Sequence, residues 1–135
     1  MKTLKYFSIF SILIIIFYAC SSSPIKNNAT SKEEPVVIKN DSLEYEITII
    51  DPGFNHYLNT IAKPVGFHSQ FYLENKNRLY VPIWNSRANN SFNFNPNIYE
   101  NQINYNPNIN YGYDVNYKLF NYFEFAQRKY RMRLR

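Results

Sequence analysis

The sequence predicts an α+β fold: three helices with a small two-stranded sheet formed by the N- and C-terminal strands of the domain. A leader and a disordered tether precede it. Three observations carry this reading. Residues 43–50 and 131–135 alternate apolar and polar positions, the period of half-buried strands. Three other stretches repeat apolar residues at helical spacing, each behind a helix-start residue. Residues 20–40 are rich in Ser, Asn, Lys and Glu, are interrupted by Pro24 and Pro35, and show no apolar period. Such a stretch buries too little to order itself. The expected organisation is a leader over 1–19, a tether over 20–40 and one compact domain over 41–135.

The leader has Lys2 and Lys5, then an apolar run over residues 6–18, then the small Ala19. That order is the layout of a secretory signal. The run is shorter than the roughly 20 residues a spanning helix needs. Cys20, the only cysteine of the chain, follows directly, so the stretch resembles a bacterial lipoprotein signal. The resemblance implies that Cys20 is lipidated and becomes the first residue of the mature protein. Phe17 and Tyr18 depart from its usual pattern, and a short uncleaved anchor or an ordinary signal beside an incidental cysteine are the other readings. Removing residues 1–19 leaves 116 residues with 13 Lys and Arg against 10 acids, enough for one domain. Arg128, Lys129, Arg131, Arg133 and Arg135 put five positive charges in the last eight residues. A basic tail can meet nucleic acid or an anionic membrane surface. An exported chain does not normally meet nucleic acid, so that partner drops out, and with its one thiol taken by lipid no disulfide is expected.

Within the domain, Leu43, Tyr45, Ile47 and Ile49 form the inner face of the first strand, with Glu44, Glu46 and Thr48 outward. Asp51-Pro52 then reads as a helix start with Asp51 as cap. Phe54, Tyr57, Leu58 and Ile61 make the stripe of that short helix, which Pro64 and Gly66 end. Ser69 is the expected cap of a second helix running to about Arg87. Its stripe is Tyr72, Leu79 and Ile83, flanked by Tyr80 and Trp84, and Pro82 is expected to kink it. Residues 89–110 hold ten asparagines and an internal echo, Asn93-Phe94-Asn95-Pro96-Asn97-Ile98 against Asn104-Tyr105-Asn106-Pro107-Asn108-Ile109. Asn-Pro-Asn favours a turn in which asparagine bonds back to the main chain. Asp114 is the expected cap of a third helix, apolar on nearly every side through Val115, Leu119, Phe120, Tyr122, Phe123 and Phe125, hence central. The final residues, Arg131 to Arg135, are expected to pair with the first strand, Met132 and Leu134 inward.

From Leu43 onward the chain resembles a family of small Bacteroidota lipoproteins of uncharacterised function. The residues that carry the resemblance are Asp51-Pro52-Gly53-Phe54, Tyr72-Leu73-Glu74-Asn75-Lys76-Asn77-Arg78, Trp84-Asn85-Ser86-Arg87, and Tyr111-Gly112-Tyr113-Asp114-Val115-Asn116-Tyr117-Lys118-Leu119. It covers the whole domain and implies an outer-membrane location and a compact fold, without an activity. The first acids behind Cys20 are Glu33 and Glu34, with Ser21-Ser22-Ser23-Pro24 between. Surface-export signals of such lipoproteins carry acids close behind the cysteine, so the resemblance implies a periplasm-facing domain.

Catalytic, cofactor and metal motifs are not found in the sequence. His56 and His68 stand 12 apart without further ligand-type residues at metal spacing. No serine sits in a Gly-x-Ser-x-Gly elbow, and Gly53, Gly66 and Gly112 are isolated rather than gathered in a phosphate loop. Trp84, Asn85 and Arg87 form the most site-like cluster, with a ring to stack, an amide, and a fork for a carboxylate or phosphate. The alternative is that Trp84 fills the core and Arg87 pairs with Glu74 or Glu124. The expected function is therefore non-enzymatic: a lipid-anchored envelope protein with a structural or interaction role, held to the membrane through Cys20, its partner an unknown envelope protein or a glycan. The other reading is a glycan- or ligand-binding module that uses the Asn- and Tyr-rich residues 89–113. Exposed coplanar rings around a groove favour the second, and rings buried against the last helix favour the first. The same residue bias also arises from an AT-rich genome.

Overall fold

The computed structural model describes residues 34–135. The expected leader, Cys20 and the expected tether up to residue 33 lie outside the described residues. Two strands and three helices follow in order: β1 (Val36–Asn40), β2 (Tyr45–Ile49), α1 (Phe54–Thr60), α2 (Gln70–Ala88) and α3 (Gly112–Lys129). The class is α+β, with three helices and a two-stranded antiparallel sheet.

The sheet's second strand comes from a different place than the sequence predicts. β2 pairs with β1 in a hairpin, with Val36 opposite Ile49, Ile38 opposite Ile47 and Asn40 opposite Tyr45. The last five residues of the expected tether are therefore a strand, and Ile38 is fully buried. β-Branched Val36, Val37 and Ile38 favour extended backbone, and a partner a few residues away needs only a short loop to close. That loop is a 3-10 turn, Asp41–Leu43, ended by Glu44 at φ 51°. Asn40 accepts from the Leu43 N–H and donates to the Tyr111 carbonyl, fastening the hairpin to the start of α3.

Residues 131–135 do not form a strand. Arg131 adopts φ 50°, and the Met132 N–H reaches back to the Gln127 carbonyl at 3.1 Å. A left-handed residue followed by this six-to-one bond is a Schellman ending. It turns the chain back over α3, where Gln127 Oε1 receives the Leu134 N–H and Leu134 is buried.

α3 is the central element. It packs against α2, α1 and β1, and Val115, Leu119, Phe120, Tyr122, Phe123 and Phe125 are all buried, on more than one side of the helix. Asp114 is not its cap: the helix starts at Gly112, and Asp114, inside the first turn, pairs with Lys118 one turn on at 2.7 Å. α1 likewise lacks a side-chain cap, being preceded by Gly53 at φ 96°, and Asp51 turns its carboxylate elsewhere. Ser69 does cap α2, accepting from the Tyr72 N–H at 3.2 Å. α2 runs as one helix through Pro82. Its inward face is Leu73, Asn77, Val81 and Trp84, whereas Leu79 is 60% exposed. A buried asparagine at 77 interrupts the apolar stripe, which is why sequence spacing points to a neighbouring face.

Residues 89–111 cross from α2 to α3 through two copies of one turn. Asn95 Oδ1 accepts from the Asn97 N–H at 2.9 Å and Asn106 Oδ1 from the Asn108 N–H at 3.0 Å. In each copy the isoleucine N–H closes the turn on the first asparagine's carbonyl, Ile98 on Asn95 and Ile109 on Asn106. The sequence echo is thus an Asx-Pro turn used twice.

Candidate functional site

Trp84, Asn85 and Arg87 are brought together on the last turns of α2, and all three face the segment that follows them. The Trp84 indole N–H donates to the Asn101 carbonyl at 3.0 Å, and its ring meets Tyr99 with centroids 4.9 Å apart. Asn85 Nδ2 donates to the Ile103 carbonyl while its Oδ1 accepts from the Ile103 N–H. Arg87 donates to the Tyr99 hydroxyl and to the Arg133 carbonyl, and its guanidinium lies over the Phe94 ring at 5.2 Å. It pairs with neither Glu74 nor Glu124; Tyr80 donates to Glu124 instead. Trp84 is 2% exposed, so its ring is a core contact. The cluster clips residues 94–103 and the C-terminal strap onto α2.

The rings of residues 89–113 follow the same direction. Tyr99 and Tyr111 are buried. Tyr105 stacks on Tyr111 at 5.0 Å, and Tyr111 meets Tyr45 of β2 at 4.3 Å. Burial pushes the Tyr105 phenol up to about 12, with the Glu74 charge adding to it. Phe92 is the outlier, 96% exposed.

A cleft of about 190 Å³ lies between the end of β2, the Asp51-Pro52 turn, residues 97–103 and the end of α3. Asp51 closes one end of it. Tyr130 donates to its carboxylate, within 2.9 and 3.0 Å of the two oxygens, and Lys129 Nζ donates to Oδ1 and to the Pro52 carbonyl. Burial alone lowers the Lys129 ammonium, but its bond to Asp51 and the charge there outweigh this and raise it. Tyr122, beneath the cleft, is raised by burial first and by Asp51 second. Sequence reasoning missed this constellation because Lys129 and Tyr130 are 78 and 79 residues from Asp51; within a basic tail nothing local marks them. The Asp51 side chain is only 11% exposed and ties the turn before α1 to the end of α3. Among the described residues, no three His, Cys, Asp or Glu side chains gather to hold a metal ion. His68 is stacked on Tyr72 at 4.3 Å. Among the described residues, no helix is long and apolar enough to cross a membrane.

These features define a small α+β domain in which Trp84, Asn85, Arg87, Tyr99 and Tyr111 point into its own structure. The chain belongs to DUF6146, a family of unknown function, whose family model matches residues 9–135. No curated protein and no solved structure matches the chain.

Proposed function

We propose that the protein is a small Bacteroidota lipoprotein: a non-enzymatic envelope protein anchored to the outer membrane through lipid on Cys20. Its domain faces the periplasm and has a structural or interaction role. The observation that carries the anchor is the lone cysteine placed directly behind a basic start, an apolar run and Ala19. The non-enzymatic role is supported by the inward use of the chain's most site-like groups. Trp84, Asn85 and Arg87 bind the protein's own backbone and rings. Tyr99 and Tyr111, which a glycan platform over residues 89–113 would present, are buried. Inward rings favour the structural role over glycan binding.

The test is metabolic labelling with a clickable fatty acid in a Bacteroidota host, followed by fractionation. The natural chain is expected to take up label and sediment with the outer membrane. Cys20→Ser is expected to lose the label and leave that fraction. An unlabelled natural chain, or a Cys20→Ser variant with unchanged distribution, overturns the reading.

A further inference from the structure

A group of exposed apolar side chains lies at the other end of α2 from the Trp84 cluster. Val65 is 72% exposed, Phe67 58%, Phe71 73% and Tyr72 39%. Monomeric soluble domains rarely leave large contiguous apolar groups open without a contact to make. The rings are joined in a ladder: Phe67 meets His68 edge-on at 4.7 Å, and His68 stacks on Tyr72 at 4.3 Å. A lysine sits at each end, Lys63 Nζ 5.2 Å above the Phe67 ring and Lys76 Nζ 5.6 Å above Tyr72. From Ile61 to Lys76 the sequence contains one acid, Glu74, whose carboxylate accepts from Gln70 at 2.7 Å.

The presenting loop is fixed from beneath. Tyr117 donates to the Lys63 carbonyl at 2.7 Å. Tyr113 accepts from the Gly66 N–H at 2.8 Å and donates to the His68 carbonyl at 3.1 Å. Phe67 N–H closes a turn on the Pro64 carbonyl with Gly66 at φ 88°. A positive-φ glycine at the third position, after a residue of negative φ, makes a type II turn. The apolar side chains are therefore held outward before any partner arrives.

We infer that this face, Lys63, Val65, Phe67, Phe71, Tyr72 and Lys76, rests on an anionic phospholipid surface. Its apolar side chains enter the interface and its two lysines meet phosphates. The inference rests on the lipid-anchored reading above. Charge and chemistry select this occupant. Lysines occupy ring faces of Phe67 and Tyr72 that a sugar would stack on, and Val65, Phe67 and Phe71 offer no group to bind hydroxyls. Apolar side chains flanked by Lys match the membrane interface, where amphipathic stems lie along apolar surface and charges reach the headgroups. Distance permits it too. From Cys20 to Glu34 the chain spans at most about 50 Å even fully extended, so an anchored domain cannot leave the neighbourhood of the bilayer.

The test uses the full chain, purified in detergent and reconstituted into vesicles of phosphatidylethanolamine with a minority of phosphatidylglycerol. A photoreactive phenylalanine analogue replaces Phe67, Phe71 or, as a control, Phe92, which lies beyond the far end of α2, a helix about 28 Å long. Irradiation is expected to give adducts of phospholipid mass at 67 and 71 several-fold above those at 92. Lys63→Glu combined with Lys76→Glu is expected to lower them several-fold. Equal yields at the three positions, or protein rather than lipid adducts at 67 and 71, overturn the inference. The mass of Cys20 in the same samples reads the anchor separately. Acylated Cys20 without lipid adducts at 67 and 71 removes the face and keeps the anchor. Adducts beside an unmodified Cys20 remove the anchor and keep the face.

Discussion

Asn85 holds Ile103 by both halves of its amide, donating to the carbonyl at 2.9 Å and accepting from the N–H at 2.8 Å. This is the bonding a neighbouring strand would give, supplied by one side chain to a buried residue of an irregular segment. Asn85→Ala leaves both backbone groups of Ile103 without it. A buried group deprived of its partner costs about 1–3 kcal/mol. Asn85→Asp is expected to cost more, because a carboxylate oxygen then faces the Ile103 carbonyl. In a domain this size each kcal/mol lowers the melting midpoint by about 4–8 °C. Differential scanning calorimetry checks the order, and equal midpoints for the natural chain and Asn85→Ala would show that the clip contributes nothing.

Arg131 is the second position where a substitution should speak clearly. It holds φ 50° at the turn that ends α3, with its side chain exposed. Left-handed backbone costs a residue with a Cβ about 1–2 kcal/mol, and glycine is free of that cost. Arg131→Gly is expected to raise stability by up to about 1 kcal/mol, and Arg131→Val to lower it. If glycine lowers the urea midpoint, the ending of α3 is held by the arginine side chain and not by the backbone turn.

What the sequence makes legible here is what local chemistry decides. Ser69 sits at the start of α2 with its hydroxyl on the third N–H, and both Asn-Pro-Asn turns follow from proline's fixed φ and the short asparagine side chain. Apolar residues on nearly every side of α3 announce a central helix. Distant partners are another matter. Asp51 and Asp114 look alike as caps, but one meets Lys129 and Tyr130 across the fold and the other meets Lys118 along its own helix. Val36-Val37-Ile38 is too short an apolar run to outweigh the polar tract around it, so the hairpin partner was hidden. The Trp84 cluster could be singled out by residue type, but its direction depends on where residues 94–103 lie, and no spacing along the chain encodes that.

Alkaline pH should loosen the fold through its buried phenols. Tyr105 is pushed up to about 12, and burial raises Tyr45 and Tyr122 further. A phenol whose folded value exceeds the ordinary value of about 10 stabilises fully below that pH. The contribution fades as pH climbs through the folded value, because the unfolded chain gives up the proton first. Urea midpoints are therefore expected to fall from about pH 9.5 upward, together with a delayed rise of tyrosinate absorbance. Tyr45 adds a separate check, since its hydroxyl is buried without a hydrogen-bond partner. Tyr45→Phe is expected to be neutral or stabilising near neutral pH and to lessen the alkaline loss. A midpoint flat across this range would contradict the buried placement of these rings.

The pair Asn77 and Asn116 separates a network's hub from its spoke. Both side chains are fully buried between α2 and α3. Asn116 does most of the joining: its Nδ2 donates to the Gly112 carbonyl at 2.8 Å. Its Oδ1 accepts from Tyr105 at 2.8 Å and from Asn77 at 3.1 Å. Asn77 donates to the Asn116 backbone carbonyl as well, but its own Oδ1 has no partner. Alanine leaves a void of similar size at either position, so the difference between the two variants reads the polar contribution. Asn116→Ala strips the acceptor from the Tyr105 hydroxyl and should cost about 2–4 kcal/mol. Asn77→Ala also removes an unsatisfied acceptor, which offsets part of its loss, and should cost about 1–2 kcal/mol. The double variant should cost less than the sum of the two, because neighbours in one network do not add. Urea denaturation of the three variants decides it. If Asn77→Ala is the costlier change, or the two simply add, α2 and α3 are not joined through Asn116.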